Sequence, residues 1–359
     1  MNVRAADDLK PLLRVMVTMW CILAQAYTAQ YARAEREPPV TIDQMMAHLG
    51  FDASYRRALL DGKILSTGMP EMEQMREELA VAAVMLVVKA PLDKVVAAYL
   101  DGESFRQNSD IIEYKTVRST AKSSPTADEE LRTIGYTDRE SSEVKKLIGF
   151  RGGDLFNFSR EEIGQFQVIG SKVPDARAEV SLVLRRILSE RLQSYRLHGL
   201  EAVKPYDRLK GKRSHPGKEL TVAIASTKLL GDHFPDFYRS LLKYPEETVK
   251  GVNNEYYWFK NRLDNRPTFQ LSHYMADIRD NYAIVAELQF YVEHTYNSMF
   301  TIIGCVPYEG GTVVFCANRT FTDQVAGFGS NLKRSVGRHR VEDAISSHFA
   351  KLRRALESK

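Results

Sequence analysis

Five short segments rich in aromatic and β-branched residues follow one another between residues 253 and 320, and this run constrains the fold more than any other feature. The predicted strands cover 253–262, 267–276, 282–294, 297–306 and 312–320. Short turns separate them, for example Asp264 to Pro267, and such turns leave room only for hairpin connections. The spacing therefore predicts an antiparallel meander.

A strand and a helix precede the meander, and a long helix follows it. Residues 79–90 (LAVAAVMLVVKA) predict a buried strand, because Pro91 ends the apolar run and 92–100 then takes up helical spacing. A further short strand is predicted at 110–117. At the other end, 330–356 predicts an amphipathic helix with Ile345 and Leu352 on its apolar side.

Residues 118–218, which lie between these two parts, predict helices and loops. The polar stretch 118–140 is typical of a linker, and 174–198 predicts the clearest internal helix. The segment 204–218 (KPYDRLKGKRSHPGK) holds six lysines and arginines with two prolines and two glycines, which indicates an exposed basic loop. Immediately beyond it, the alternation in 220–226 predicts a strand.

This order of strand, short helices, antiparallel meander and long C-terminal helix resembles the helix-grip fold of START-like lipid-binding domains. The resemblance rests on LAVAAVMLVVKA leading into PLDKVVAAYLDG, and on CANRTFTDQVAGFGS leading into NLKRSVGRHRVEDAISSHFAKLRRAL. It covers residues 75–117 and 220–356. It implies an α+β fold in which an antiparallel β-sheet wraps a long C-terminal helix, with a ligand cavity between them. These folds commonly have no fixed catalytic residues, so none is carried over.

The resemblance also sets the expected domain organisation. A signal peptide is predicted at 1–26 and an N-terminal helical segment at 27–78. A START-like α+β domain is predicted at 79–356, with an insertion at about 118–218.

The first 26 residues have the three parts of a secretory signal peptide. Arg4, Lys10 and Arg14 form a basic start, and the twelve residues Val15–Ala26 carry no charge. Spanning a bilayer takes about 20 apolar residues, so this stretch is too short to do so. Ala24-Gln25-Ala26 fits a cleavage site, and Ala32-Arg33-Ala34 fits a second one. An ordinary amphipathic helix is the alternative to a signal peptide. We expect a periplasmic or secreted location after cleavage.

Cleavage of the signal peptide would remove Cys21 and leave Cys305 and Cys316. A hairpin turn centred on Gly310-Gly311 would put these two residues directly opposite each other, within disulfide range. A Cys305–Cys316 disulfide is therefore predicted, and two buried free thiols are the alternative.

The chain shows no strong catalytic signature. It lacks a Gly-x-Ser-x-Gly elbow, a His-Glu-x-x-His pair, a phosphate-binding glycine loop and a Cys-x-x-Cys pair. No histidines lie at ligand spacing, so neither catalytic residues, nor a metal, nor a cofactor is expected. The net charge of +4 is too small to indicate a nucleic-acid partner.

Aromatic residues in the predicted strands are candidates for lining an apolar ligand site. With one basic residue for a head group, the candidate binding residues are Tyr256, Trp258, Phe269, Tyr274, Tyr291, Phe315 and Arg319. Simple core packing is the alternative for the aromatics. Glu287, Gln289, Tyr291 and Glu293 alternate on one side of the third strand of the meander, and we expect the two glutamates and Gln289 to face solvent.

These patterns favour an exported protein, not an enzyme, that binds and carries a lipid or other apolar small molecule in an internal cavity. A hydrolase or lyase built on the same cavity is one alternative, and an envelope scaffold is another. Arg319, Lys333 and Arg334 are candidates for a basic site that binds an anionic head group. Together with the 204–218 loop they are also candidates for peripheral contact with an anionic membrane surface, and a solvated basic face is the alternative.

Overall fold

The computed structural model of the protein describes residues 37–69, 78–100, 110–117, 129–169, 175–323 and 330–358. Within these ranges the α-helices are α1 Ile42–Leu49, α2 Arg56–Leu60, α3 Leu92–Leu100, α4 Ser141–Gly149, α5 Arg160–Gln167, α6 Ala176–His198, α7 Pro216–Ser226, α8 Lys228–His233, α9 Pro235–Leu242 and α10 Ser330–Glu357. The strands are β1 Leu65–Gly68, β2 Glu78–Val88, β3 Ile111–Val117, β4 Tyr206–Asp207, β5 Arg213–Ser214, β6 Val252–Leu263, β7 Arg266–Arg279, β8 Tyr282–Val292, β9 Ser298–Tyr308 and β10 Gly311–Phe321.

Eight of these strands form one antiparallel sheet in the order β1-β2-β10-β9-β8-β7-β6-β3. The meander predicted from the sequence is confirmed as β6 to β10, in which each strand pairs with the next. The predicted strands at 79–90 and 110–117 are confirmed as β2 and β3, which flank the meander by pairing with β10 and β6. The fold is therefore α+β, with a large antiparallel sheet and a C-terminal helix.

The helical region inserted between β3 and β6 joins two strands that are neighbours in the sheet. Val117, the last residue of β3, pairs with Tyr256 near the start of β6. The intervening chain, numbered 118–251, thus leaves and re-enters the sheet on adjacent strands. It forms α4 to α9 and the small β4–β5 hairpin.

Two apolar cores lie on the two faces of the sheet, because successive side chains of a strand point to opposite sides. On the insertion face, defined by Trp258, Phe269, Leu288 and Phe315, the strands pack against α1 and α4 to α9. On the terminal-helix face, defined by Val84, Val285, Ile303 and Cys305, they pack against α3 and α10. Helix α10 lies mainly along β2, and α3 lies over β9 and β10.

The strand predicted at 220–226 is wrong, because these residues belong to helix α7. Pro216 occupies the first turn of that helix, where proline has no hydrogen bond to lose. Leu220, Ala223 and Ile224 are buried at helical spacing. Packing of this face on the sheet overrides the strand preference of Thr221 and Val222.

The predicted disulfide is also wrong, and Cys305 and Cys316 are buried free thiols. The turn lies at Glu309-Gly310, where Gly310 has a φ of +78°, and Tyr308 pairs with Gly311. Cys305 is therefore opposite Val314, and Cys316 is opposite Ile303. Moving the turn by one residue shifts every pairing in the hairpin by two.

A bulge in β8 changes which side chains share a face. Leu271 of β7 pairs with Tyr291, but the next residue, Ser272, pairs with Gln289, so Phe290 is the extra residue. Phe290 and Tyr291 consequently both reach the insertion face. The predicted alternation of Glu287, Gln289 and Tyr291 on one side is broken at this point.

The predicted signal peptide at 1–26 lies outside the described residues. In the part of the chain that the structure describes, no helix is both long enough and apolar enough to cross a bilayer.

Candidate functional site

A line of buried polar side chains crosses the terminal-helix face of the sheet. Five of them come from β6, β7 and β8, and the sixth, Tyr296, comes from the turn after β8. The members are Asn261, Gln270, Ser272, Glu287, Gln289 and Tyr296, and we call them the polar chain. Each is at most 2% exposed to solvent. Glu287 and Gln289, expected to face solvent, are therefore buried, within the apolar layer of this face.

The hydrogen bonds of the polar chain all run toward Glu287. Gln289 Nε2 donates to Glu287 Oε1 at 2.8 Å, and Tyr296 Oη donates to Gln289 Oε1. Gln270 Nε2 in turn donates to Tyr296 Oη at 2.8 Å, and Asn261 Nδ2 donates to Gln270 Oε1. When Glu287 is ionised it accepts only, and in that state it sets the orientation of every amide behind it.

Ser272 adds a second donor at the same end of the polar chain. Its hydroxyl donates to Glu287 Oε1 at 2.9 Å. Tyr274 is cross-strand from Glu287 and lies in the core of the same face.

Both ends of the polar chain finish in a buried acceptor. Glu287 Oε2 and Asn261 Oδ1 have no hydrogen-bond partner among the described residues. A buried polar atom without a partner costs about 1–3 kcal/mol. Each of these atoms, at opposite ends of the network, is a place where a further donor can bind.

Burial raises the pKa of Glu287 to about 7, against the opposing effect of the hydrogen bonds from Gln289 and Ser272. The same burial, together with the nearby Glu287 carboxylate, holds the pKa of Tyr296 well above its ordinary value. Glu287 is thus able to change protonation state near neutral pH in an otherwise apolar layer.

The surroundings of the polar chain on this face are apolar. Val285 lies two residues before Glu287 on the same side of β8, and Met299 is opposite Gln289. Phe259 is opposite Gln270. The polar chain is thus enclosed in an apolar layer, where its hydrogen bonds are stronger than in water and an unpartnered polar atom is more costly.

A second group of buried polar side chains lies on the insertion face and fastens the helical region to the sheet. Glu293 accepts hydrogen bonds from the Tyr136 hydroxyl and from the Phe269 N–H, the latter at 3.1 Å. Arg191 of α6 bonds Glu162 of α5 at 2.6 Å. Burial raises the pKa of Glu293 to about 7.

The seven predicted binding residues do not converge on one site. Tyr274 is on the terminal-helix face, in the same core as Val285. The other aromatics are in or against the core of the insertion face: Tyr256, Trp258, Phe269, Tyr291 and Phe315. Arg319 is 5% exposed and, by alternation along β10, shares the side of Phe315.

On the insertion face these aromatics make contacts typical of a packed layer. Trp258 Nε1 donates to Glu130 O at 2.8 Å, and the Tyr291 ring lies 4.8 Å from the Arg191 guanidinium. The side chains of Lys333 and Arg334, which were predicted to share a basic site with Arg319, lie outside the described side chains.

The polar chain was not predicted from the sequence, although polar residues at alternate positions in two of its strands were evident in the sequence. Gln270 and Ser272 on β7, and Glu287 and Gln289 on β8, are polar residues two apart inside otherwise apolar strands. That pattern also fits an exposed strand face, and only the helices packed on this side distinguish the two.

No metal site is present in the described ranges, which hold no cluster of three or more histidine, cysteine, aspartate and glutamate side chains suited to a metal ion. Comparison of the chain with protein-family models, with curated proteins and with solved structures found no match.

Proposed function

We propose that this protein binds a lipid or another apolar ligand between the sheet and its C-terminal helix, with the polar part of the ligand held by the polar chain. The observation that carries the proposal is the pair of buried, unpartnered acceptors, Glu287 Oε2 and Asn261 Oδ1, inside an apolar layer. A polar group so placed gains most from a ligand that brings its own hydrogen-bond donor.

The order of elements supports a helix-grip arrangement. Strand β2 leads into helix α3, β3 follows, and the five-stranded meander ends in α10. Helices α3 and α10 share one core on the terminal-helix face. Helix α10 lies mainly along β2, so a ligand that contacts both α10 and the polar chain would extend across β10 and β9.

The binding energy would come chiefly from the apolar part of the ligand. Removing apolar surface from water stabilises a complex by about 25 cal/mol per Å², before the cost of ordering the partners. The polar chain would contribute orientation, because only a ligand with a donor in the right place satisfies Glu287 Oε2.

The test is native mass spectrometry of the purified protein, followed by organic extraction and titration with the fluorescent apolar amine N-phenyl-1-naphthylamine. We expect a co-purifying apolar species and saturable probe binding. Glu287→Gln should lower both, because it replaces the unpartnered acceptor with an amide.

The matched control is Glu293→Gln, which alters a buried carboxyl of similar pKa on the opposite face. It should leave the bound species in place. A bare wild-type protein that does not bind the probe would contradict the proposal, as would equal loss in the two variants.

A hydrolase or lyase acting at the same place is the second candidate, and the pKa of Glu287 favours it. A carboxyl with a pKa of about 7 in a buried site is suited to general acid–base work at neutral pH. Incubating the extracted species with wild-type protein and following its mass distinguishes the two functions. Conversion by the wild type, and none by Glu287→Gln, would identify an enzyme.

An exported location is part of the same proposal, because the predicted signal peptide would carry the protein out of the cytoplasm. Intact mass of protein recovered from the periplasm or medium tests it. A chain that begins at Tyr27, after Ala24-Gln25-Ala26, would support cleavage, and an uncleaved chain found only in the cytoplasm would contradict it.

A further inference from the structure

The β4–β5 hairpin presents an exposed leucine among basic residues. Its tip runs from Leu209 to Arg213, and every residue of the tip is exposed. Leu209 is 63% exposed, and we call this segment the basic tip. Neither Lys210 nor Lys212 forms an ion pair with another described residue.

The backbone of the basic tip has an unusual conformation. Lys210 has a φ of 58° and Gly211 a φ of 72°, in the left-handed region. Glycine adopts this conformation freely, but lysine is strained in it. Strain that persists at an exposed position calls for surrounding structure that enforces it.

Buried polar contacts at the base of the hairpin supply that support. Arg208, just before the tip, donates to Asp323 at 2.6 Å, to Asn157 at 2.8 Å and to Asn297 at 3.0 Å. Ser214, just after the tip, donates to the same Asp323 carboxylate. The base is thereby tied to the end of β10 and to the turn before β9.

A second exposed leucine lies on the neighbouring loop. The Leu209 side chain packs against Gly153, where a Cβ atom would lie only 3.2 Å from Leu209 Cγ. Leu155, two residues further along, is 42% exposed. Arg151 in the same loop adds a positive charge. The negative charge of Asp154 is balanced by Arg208, whose Nε lies 3.7 Å from Asp154 Oδ1.

We infer that the basic tip docks this protein on an anionic lipid surface, with Leu209 inserted among the lipids and Lys210 and Lys212 at the head groups. Nucleic acid would also attract the lysines, but it offers no apolar phase for an exposed leucine. Apolar side chains next to basic ones are the combination that interfacial membrane binding uses. This inference does not depend on the ligand site on the sheet.

The test is co-sedimentation of the full-length chain with phosphatidylcholine vesicles, with and without about one third phosphatidylglycerol. Each positive charge near an anionic surface strengthens binding about fivefold, so the loss of two lysines alone weakens it about 25-fold. Lys210→Glu with Lys212→Glu also adds two negative charges and should weaken binding by more than this. Leu209→Ser should weaken it about tenfold.

Matched controls carry the same chemical changes at other exposed positions. The pair Lys243→Glu and Lys250→Glu makes the same change in net charge, and Leu182→Ser removes another exposed leucine. Both should bind vesicles within about twofold of the wild type.

Three results would overturn the inference. One is failure of the wild type to bind phosphatidylglycerol vesicles, and another is equal loss of binding in the control variants. The third is a tip-dependent interaction with duplex DNA in the absence of vesicle binding, which would assign the basic tip to a nucleic acid.

Discussion

Glu287 makes the stability of the fold depend on pH. Its folded-state pKa of about 7 lies above the ordinary value of 4.5, so folding favours the neutral carboxyl. The stabilisation that follows is fully present below pH 4.5 and is lost as the pH rises through about 7. A shift of this size corresponds to ~3 kcal/mol.

We expect Glu287→Gln to flatten this dependence, because an amide mimics the neutral carboxyl and never ionises. Relative to the wild type, the variant should gain up to ~3 kcal/mol in free energy of unfolding between pH 5 and pH 8. Urea unfolding at the two pH values measures the difference. Glu309→Gln, in the exposed β9–β10 turn, is the control and should leave the wild-type pH profile unchanged.

At the scale of single elements, the β9–β10 hairpin governs the chemistry of its two thiols. Cys305 and Cys316 are on the same side of the sheet but in different cross-strand pairs. Burial raises the pKa of both thiols, which suppresses the reactive thiolate.

We therefore expect both thiols to resist alkylation in the native protein and to react fully once it is unfolded. Peptide mapping after iodoacetamide treatment under native and denaturing conditions measures this. Recovery of a disulfide-linked pair of peptides that contain Cys305 and Cys316 would contradict the hairpin register.

The elements that could be predicted from the sequence are those whose pattern is decided locally. Strands β6 to β10 show apolar alternation and turn residues, and α6 shows a single apolar side, so both were found. Thr41 and Ser159 each begin a helix by a capping box, as their local sequence indicates.

The elements that were missed depend on contacts distant in sequence. Residues 220–226 alternate like a strand, but their buried side chains at helical spacing meet the sheet and the segment 199–202. The bulge at Phe290 has no signal of its own, and it separates Tyr291 from Glu287. The polar chain, likewise, is distinguishable from an exposed strand face only by the burial that the folded chain gives it.

At the scale of the whole molecule, a buried ion pair of the helical region lies against the sheet. Arg191 of α6 contacts Glu162 of α5, and its guanidinium also lies over the rings of Tyr206 and, on β8, Tyr291. Arg191 and Glu162 are both almost fully buried. A buried pair of this kind stabilises little by itself, but removing one partner leaves an uncompensated charge.

We expect Arg191→Met to lower the free energy of unfolding by about 3–5 kcal/mol, and Arg191→Met with Glu162→Gln to lower it by clearly less. Guanidinium unfolding of the single and double variants measures the coupling. Arg56→Ala, which breaks the exposed pair with Asp43, should change stability by less than about 1 kcal/mol. Equal losses in the single and double variants would show that charge burial is not the cause.

Because β3 and β6 are adjacent antiparallel strands, the whole helical region, from 118 to 251, is one long hairpin connection between them. A short turn between Val117 and Val252 would leave the order of the sheet strands unchanged. Such a deletion would remove the helices that pack on the insertion face of the sheet, in the core that contains Trp258 and Phe315. The sheet and α10 are thus connected independently of the helical region, and a sequence without it has the topology to keep the polar chain.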